Sequence, residues 1–268
     1  MPMTRMPTFF IPHGGGPCFF MEWQPTDTWD SMAAWLRAFP ATLPQKPRAL
    51  LVISGHWEGD PVALTAHAHP PLIYDYNGFP PHTYELQWPA PGNPALAIRA
   101  RTLLTEAGLP AQLDATRGFD HGVFIPLKVA FPDADISTVQ LSLRHDLDPA
   151  FHLAIGAALA PLRDEGVLIL GSGMSYHNMR GYRWKDNNPI PGADIFDTWL
   201  TQVVTGAPAE RNALLQQWES AEGFRAAHPR EEHLTPLLVA AGAASNDAAT
   251  QPYHDRVMGA PISAFRFG

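Results

Sequence analysis

Leu50-Leu51-Val52-Ile53 runs without a polar residue into Ser54-Gly55-His56-Trp57. An unbroken apolar run of this length reads as a strand buried on both faces, as strands of parallel sheets are. The Ser-Gly pair and the histidine mark where the run gives out. Two other stretches repeat the arrangement. Phe9-Phe10-Ile11-Pro12 leads to His13-Gly14-Gly15-Gly16, and Val167-Leu168-Ile169-Leu170 leads to Gly171-Ser172-Gly173, with His177 just beyond. In an open α/β sheet, ligand sites lie outside the carboxyl ends of the strands. Imidazoles gathered at that edge are metal ligands or acid/base groups more readily than packing residues. The chain therefore reads as a metalloenzyme.

Working outward, strands are expected at 8–12, 49–54, 61–66, 111–113, 136–143, 167–170 and 262–267, with a short one at 84–88. Between them the apolar spacing predicts helices from Thr26 to about Phe39, from Asn93-Pro94 to Gly108, up to about Phe131, from Asp148-Pro149 through Ala160, and over 193–205 and 208–220. Pro229 is read as opening a last helix that carries Glu231, Glu232 and His233 in its first turns. Residues 67–94, rich in Pro, Tyr, His and Trp, form a long excursion over the sheet edge; long loops of this kind are usually functional. The alternation of strands and helices predicts one α/β domain over residues 1–268. Its central sheet would be mostly parallel or mixed and flanked by helices, with a metal site at the C-terminal edge of the strands.

Composition narrows the functional classes. Of the 268 residues 46% are hydrophobic, enough for an ordinary core, and only 16% are charged, which argues against disorder. The net charge of −8 disfavours a nucleic-acid partner, which needs clustered Lys and Arg. Cys18 is the only cysteine, so no intrachain disulfide is available and a reducing cytoplasm is the expected location. No window approaches the roughly 20 apolar residues of a membrane span.

The chemistry rests on histidines. His13 precedes three glycines, so backbone can approach a bound group there, and a histidine ending an apolar run, as His56 does, would be costly to bury unsatisfied. His233 is close enough to a helix start to swing toward the sheet edge. Glu231 and Glu232 beside it are ordinary first-turn acids, although one of them could be a ligand or could orient a histidine. His121 and His177 sit in loops leaving the sheet, where either could act as general acid or base. His67, His69, His82, His145, His152 and His254 are read as structural. No HExxH or G-x-S-x-G motif occurs.

Pro12-His13-Gly14, Ser54-Gly55-His56-Trp57, Tyr74-Asp75-Tyr76-Asn77-Gly78-Phe79-Pro80, Pro89-Ala90-Pro91-Gly92, Gly118-Phe119-Asp120-His121-Gly122, Gly171-Ser172-Gly173 through His177-Asn178, and Glu232-His233-Leu234 with Pro236-Leu237-Leu238 follow in order along almost the whole chain. This ordered set resembles the 4,5-DOPA extradiol dioxygenase-like family, within the class III extradiol ring-cleavage dioxygenases. The resemblance implies a non-haem Fe(II) centre, with Zn(II) often found in bacterial members. Matched block by block, it implies His13, His56 and His233 as metal ligands. His177 would be the acid/base histidine, or a fourth ligand to zinc, and His121 a hydrogen-bonding group on the substrate side. More distant class III enzymes use two histidines and a glutamate; here the third block offers His233.

The activity implied is O2-dependent extradiol cleavage of a DOPA- or catechol-like substrate to a ring-opened semialdehyde, as in aromatic compound catabolism. Phe79 and Trp88 of the aromatic loop 74–88 are expected to cover the ring. The resemblance allows monomers and homodimers. Two other readings fit three neutral imidazoles: a zinc-dependent hydrolase, since such a site lowers the pKa of bound water to about 7, and a non-catalytic metal-binding protein on the same scaffold.

Overall fold

The computed structural model describes residues 4–268; the first three residues of the expected 1–268 domain lie outside them. The strands are β1 (Thr8–Pro12), β2 (Ala49–Gly59), β3 (Val62–Thr65), β4 (Ala111–Asp114), β5 (Ser137–Arg144), β6 (Val167–Gly173), β7 (Ala249–Val257) and β8 (Ala260–Phe267). The helices are α1 (Asp30–Ala38), α2 (Pro94–Glu106), α3 (His121–Ala130), α4 (Pro149–Leu159), α5 (Ala193–Thr205), α6 (Pro208–Leu215), α7 (Phe224–Ala227) and α8 (Thr235–Ala244). All eight strands join one mixed sheet in the order β4-β3-β5-β2-β6-β1-β8-β7. The inner strands β5, β2, β6 and β1 are parallel, and β8 and β7 extend the sheet antiparallel beyond β1.

The apolar runs behave as their composition requires. Successive side chains of a strand point to opposite faces. Leu50 and Val52 of β2 and Leu168 and Leu170 of β6 enter one core layer, with Met32 and Leu36 of α1 and Phe124 of α3. Leu51 and Ile53, with Val167 and Ile169, enter the other, against Leu104 of α2 and Ile155 of α4. Helix α8 is buried along its whole length, as a helix apolar on every side must be. Asn93 caps α2 by accepting the Leu96 N–H at 2.9 Å, and Asp148 caps α4 through the Ala150 N–H at 3.0 Å.

Several boundaries differ from those read in the sequence. Helix α1 begins at Asp30, and Thr26 does not cap it. The expected strand at 84–88 is absent: Pro80 and Pro81 set up a 3-10 turn over Pro81–Glu85, closed by the Thr83 N–H and hydroxyl donating to Pro80 O. Helix α6 stops at Leu215 rather than 220. Pro229 does not open a helix. Residues 229–234 are turns, and the helix starts at Thr235, with Pro236 in its first turn beside the long apolar run. The hairpin strand β7 is an addition. Among the described residues, no helix is long and apolar enough to cross a membrane.

Candidate metal centre and active site

Five histidines from widely separated segments meet at the carboxyl end of the parallel strands. His13 follows β1 directly, and its N–H donates to Gly173 O at the end of β6, at 3.0 Å. His56 lies within β2 rather than beyond it. Strand β2 pairs with β5 at Ile53 and again only at Glu58, so Gly55-His56-Trp57 bulges out of the ladder. Such bulges re-aim side chains. His121 is the first residue of α3, His177 follows β6, and His233 precedes α8.

Glycine explains how His233 arrives. A Cβ on Gly55 would stand 2.9 Å from Glu232 O, and one on Gly173 would collide with His233 O. Bare backbone at these two positions lets the 232–236 segment lie directly on β2 and β6. The Met174 N–H then donates to His233 O at 2.9 Å and locks it there.

Hydrogen bonds fix which nitrogen each ring presents. A carboxylate only accepts, so an imidazole nitrogen facing one carries the proton. His233 Nδ1 donates to Glu232 Oε1 at 2.9 Å, and His121 Nδ1 donates to Asp75 Oδ1 at 2.7 Å. The Ser172 hydroxyl donates to Gly122 O, which leaves its oxygen to accept His13 Nδ1–H at 3.4 Å. The Nε2 atoms therefore face one another: His56 Nε2 is 3.3 Å from His13 Nε2 and 3.2 Å from His233 Nε2. Buried Asp120 anchors the floor. It accepts the Ser54 hydroxyl at 2.8 Å, and Ser54 Oγ accepts the His56 N–H at 3.2 Å.

These nitrogens resist protonation. Burial first, then mutual repulsion, pushes His13 and His233 well below the ordinary histidine range. Burial and His121 take His56 down to about 3, against the pull of Asp75. Burial tends to raise Asp75 and Glu232, but bonding to His121 and His177 respectively holds both below the usual carboxylate range. Asp120 goes up, through burial and then Asp75, despite its bonds to Gln140 and Ser54. Lone pairs that converge yet refuse protons suit a cation. Two imidazole nitrogens bonded to one metal at about 2.0–2.1 Å are themselves about 2.8–3.4 Å apart for angles from about 90° to tetrahedral. The observed spacings fall in that interval. Donor atoms of His13, His56 and His121 all lie within 4.8 Å of one another, as do those of His177, Glu232 and His233. His56 and His233 join the two groups.

Residues 7–265 match the family model of the catalytic LigB subunit of aromatic ring-opening dioxygenase. The chain belongs to the LigB family. It is 38% identical over 250 residues to a 4,5-DOPA dioxygenase extradiol of Beta vulgaris, covering 92% of this chain and 90% of that one. It is also 38% identical over 246 residues to a 4,5-DOPA dioxygenase extradiol of Escherichia coli K12, covering 91% and 87%. A crystal structure of an uncharacterized Escherichia coli K12 protein superposes with a TM-score of 0.78 at 33% identity, covering 98% of this chain and all of that one.

In this LigB-family chain the histidines open onto a cavity of about 360 Å³ walled by Trp23, Trp29, Tyr76, Phe79, Met174 and Met258. Phe79 lies where the sequence suggested. Trp88 does not: it is buried in the core, its indole N–H donating to Phe131 O at 3.0 Å, and it takes no part in the cavity wall. An indole has only one polar atom to satisfy, and a backbone carbonyl beneath the loop satisfies it. No role for Asp75 follows from the sequence alone. The available signal was that it is the only acid between Asp60 and Glu85, set between two tyrosines.

Proposed function

We propose that the chain opens the aromatic ring of a catechol with O2, by extradiol cleavage, at a metal held by His13, His56 and His233. The observation that carries this reading is the convergence of their Nε2 atoms, 3.2 and 3.3 Å from neighbour to neighbour, at the floor of an aromatic-walled cavity. Three facial imidazoles leave coordination positions open, and they suit Fe(II) for turnover as well as Zn(II). The metal would coordinate the diol oxygens and, as Fe(II), relay to O2 the electron density that the diol itself gives up.

The remaining steps fall to side chains. His177 Nδ1 lies 3.3 Å from Glu232 Oε1, which leaves Nε2 as the acceptor for a diol proton. A positioned acid/base of this kind contributes roughly 10²–10⁴-fold. His121, held by Asp75, presents a second Nε2 to the substrate side and can hold or return a proton as the ring opens to the semialdehyde. Phe79 and Tyr76, packed edge to face with centroids 5.6 Å apart, form one wall that excludes water from the ring. The cavity volume suits a monocyclic catechol with a short side chain, such as a DOPA-like compound. Every group named comes from one chain, which acts as a single catalytic domain and needs no second copy for chemistry. Its lone, buried Cys18 fits a reducing cytoplasm.

The test is turnover of a catechol panel by protein reconstituted anaerobically with Fe(II). A yellow ring-opened product that appears only when O2 is admitted, with one O2 consumed per ring, supports the proposal. Ester or amide hydrolysis under argon with no O2 uptake on any catechol would replace it with a zinc hydrolase.

A further inference from the structure

Each of the two carboxylates of the site stands between a pair of histidines. Asp75 Oδ1 accepts from His121 Nδ1 at 2.7 Å and from the His121 N–H at 2.9 Å, while Asp75 Oδ2 lies 3.7 Å from His56 Nδ1. Glu232 Oε1 lies 2.9 Å from His233 Nδ1 and 3.3 Å from His177 Nδ1. Each acid therefore spans one histidine of the triad and one outside it. The rings it spans are packed together, with centroids 3.9 Å apart for His56 and His121 and 3.3 Å apart for His177 and His233.

Neither acid is oriented by a strong cation. Among the described residues Asp75 has no Lys or Arg within ion-pair distance. Glu232 has Arg230 at 3.6 Å, but that guanidinium is committed to Glu58 at 2.5 and 2.7 Å, and Glu232 Oε2 is buried without a hydrogen-bond partner. Imidazole nitrogens are thus the closest side-chain partners of both carboxylates.

Resting on the function proposed above, we propose that Asp75 and Glu232 are matched positioning residues. Each pins the proton of its non-triad partner, His121 or His177, on Nδ1. Each thereby leaves Nε2 as a bare lone pair facing the cavity. A free imidazole in water favours the opposite tautomer, with the proton on Nε2; the hydrogen bond at Nδ1 decides which form exists in the fold. The site then holds two proton acceptors of the same kind, one beside His56 and one beside His233. That pair matches a substrate with two adjacent O–H donors and not one with a single hydroxyl.

The experiment reads tautomers directly. Long-range ¹H–¹⁵N correlation spectra of the full chain, as purified and after chelation, are compared for the parent, Asp75→Ala, Asp75→Asn and Glu232→Ala, alongside metal content and steady-state kinetics. The expected result is Nδ1–H for His121 and His177 in the parent. Asp75→Ala should move His121 alone to Nε2–H, and Glu232→Ala should move His177 alone. Asp75→Asn, which keeps an acceptor oxygen, should restore the parent form of His121. In both alanine variants kcat should fall about 10–100-fold, with KM little changed.

Nδ1–H retained in both alanine variants, or Nε2–H in the parent, would overturn the proposal. So would loss of metal from Glu232→Ala with the His177 tautomer unmoved, which would make Glu232 itself a ligand. The spectra need no turnover. If the tautomers move as expected in a chain that opens no catechol ring, the positioning role stands and the proposed reaction does not.

Discussion

The imidazoles of His177 and His233 lie face to face, their centroids 3.3 Å apart and their planes within 16° of parallel. Two rings this close cannot both be cationic at rest. Glu232 Oε1 lies within 3.3 Å of Nδ1 of both rings, adjacent to balance the charge of a proton that His177 takes from substrate. His177→Ala should accordingly keep its metal, bind catechol and lose roughly 10²–10⁴ in kcat. Metal analysis and single-turnover kinetics check this; unchanged turnover would remove His177 from the reaction.

His13→Ala and His56→Ala should behave differently. Each deletes one of the converging Nε2 atoms, so each should purify with little metal and regain little on addition of Fe(II) or Zn(II). Full occupancy in either variant would transfer the ligand role to another histidine of the cluster, His121 first, because its donor lies within 4.8 Å of both.

Gly173→Ala tests how the site is assembled. The added methyl meets His233 O, and overpacking of this kind typically costs about 1–3 kcal/mol. The melting temperature should fall, and bound metal should fall with it, because the residue forced aside is one of the triad. Metal content equal to the parent at reduced stability would mean that His233 is held by α8 rather than by contact with β6.

Phe79 and Trp88 should separate cleanly. Phe79→Ala removes part of the cavity wall and should raise KM for a catechol at nearly unchanged stability. Trp88→Phe leaves Phe131 O without its donor, at a cost of about 1–3 kcal/mol, and should leave KM alone. Denaturant titration and steady-state kinetics on the same preparations distinguish the two.

His152 gives a pH signature away from the site. Its Nδ1 donates to Asp148 O at 2.8 Å and its Nε2 accepts the Arg144 N–H at 3.0 Å. Burial, outweighing the bond to Asp148, takes its pKa down to about 4. Above about pH 6.5 neither the folded nor the unfolded chain is protonated there, and the full stability is present. Below that pH the unfolded chain takes up the proton first, and stability is lost progressively down to about pH 4. Between pH 7 and 5 the loss from this residue should be roughly 2 kcal/mol. Urea unfolding at the two pH values should show a smaller loss for His152→Gln; an equal loss would mean that His152 does not titrate differently in the two states.

The parallel centre of the sheet was legible because β1, β2 and β6 carry nearly continuous apolar runs, and because β5 sets Val139, Leu141 and Leu143 at alternate positions. Strand β7 was not: Ala249–Val257 mixes Thr, Gln, Pro, His, Asp and Arg, and its pairing with β8 supplies what its own periodicity does not. The positions of His13 and His56 followed from their strands, and His233 was expected at the sheet edge although its helix began later than supposed. The duty of Asp75 was hidden because it depends on the path of a long loop over the sheet edge. Trp88 was misplaced for the same reason: an aromatic residue in a loop gives no local sign of which surface it will meet.

The segment bearing His233 is laid onto glycines of strands made far earlier in the chain. During synthesis, every strand of the parallel centre is made before the residue that completes the proposed triad. Until then that triad lacks one of its three nitrogen donors. The order of the chain thus sets the last donor of the triad after Trp23, Trp29, Tyr76, Phe79 and Met174 of the cavity wall, and only Met258 of that wall follows it.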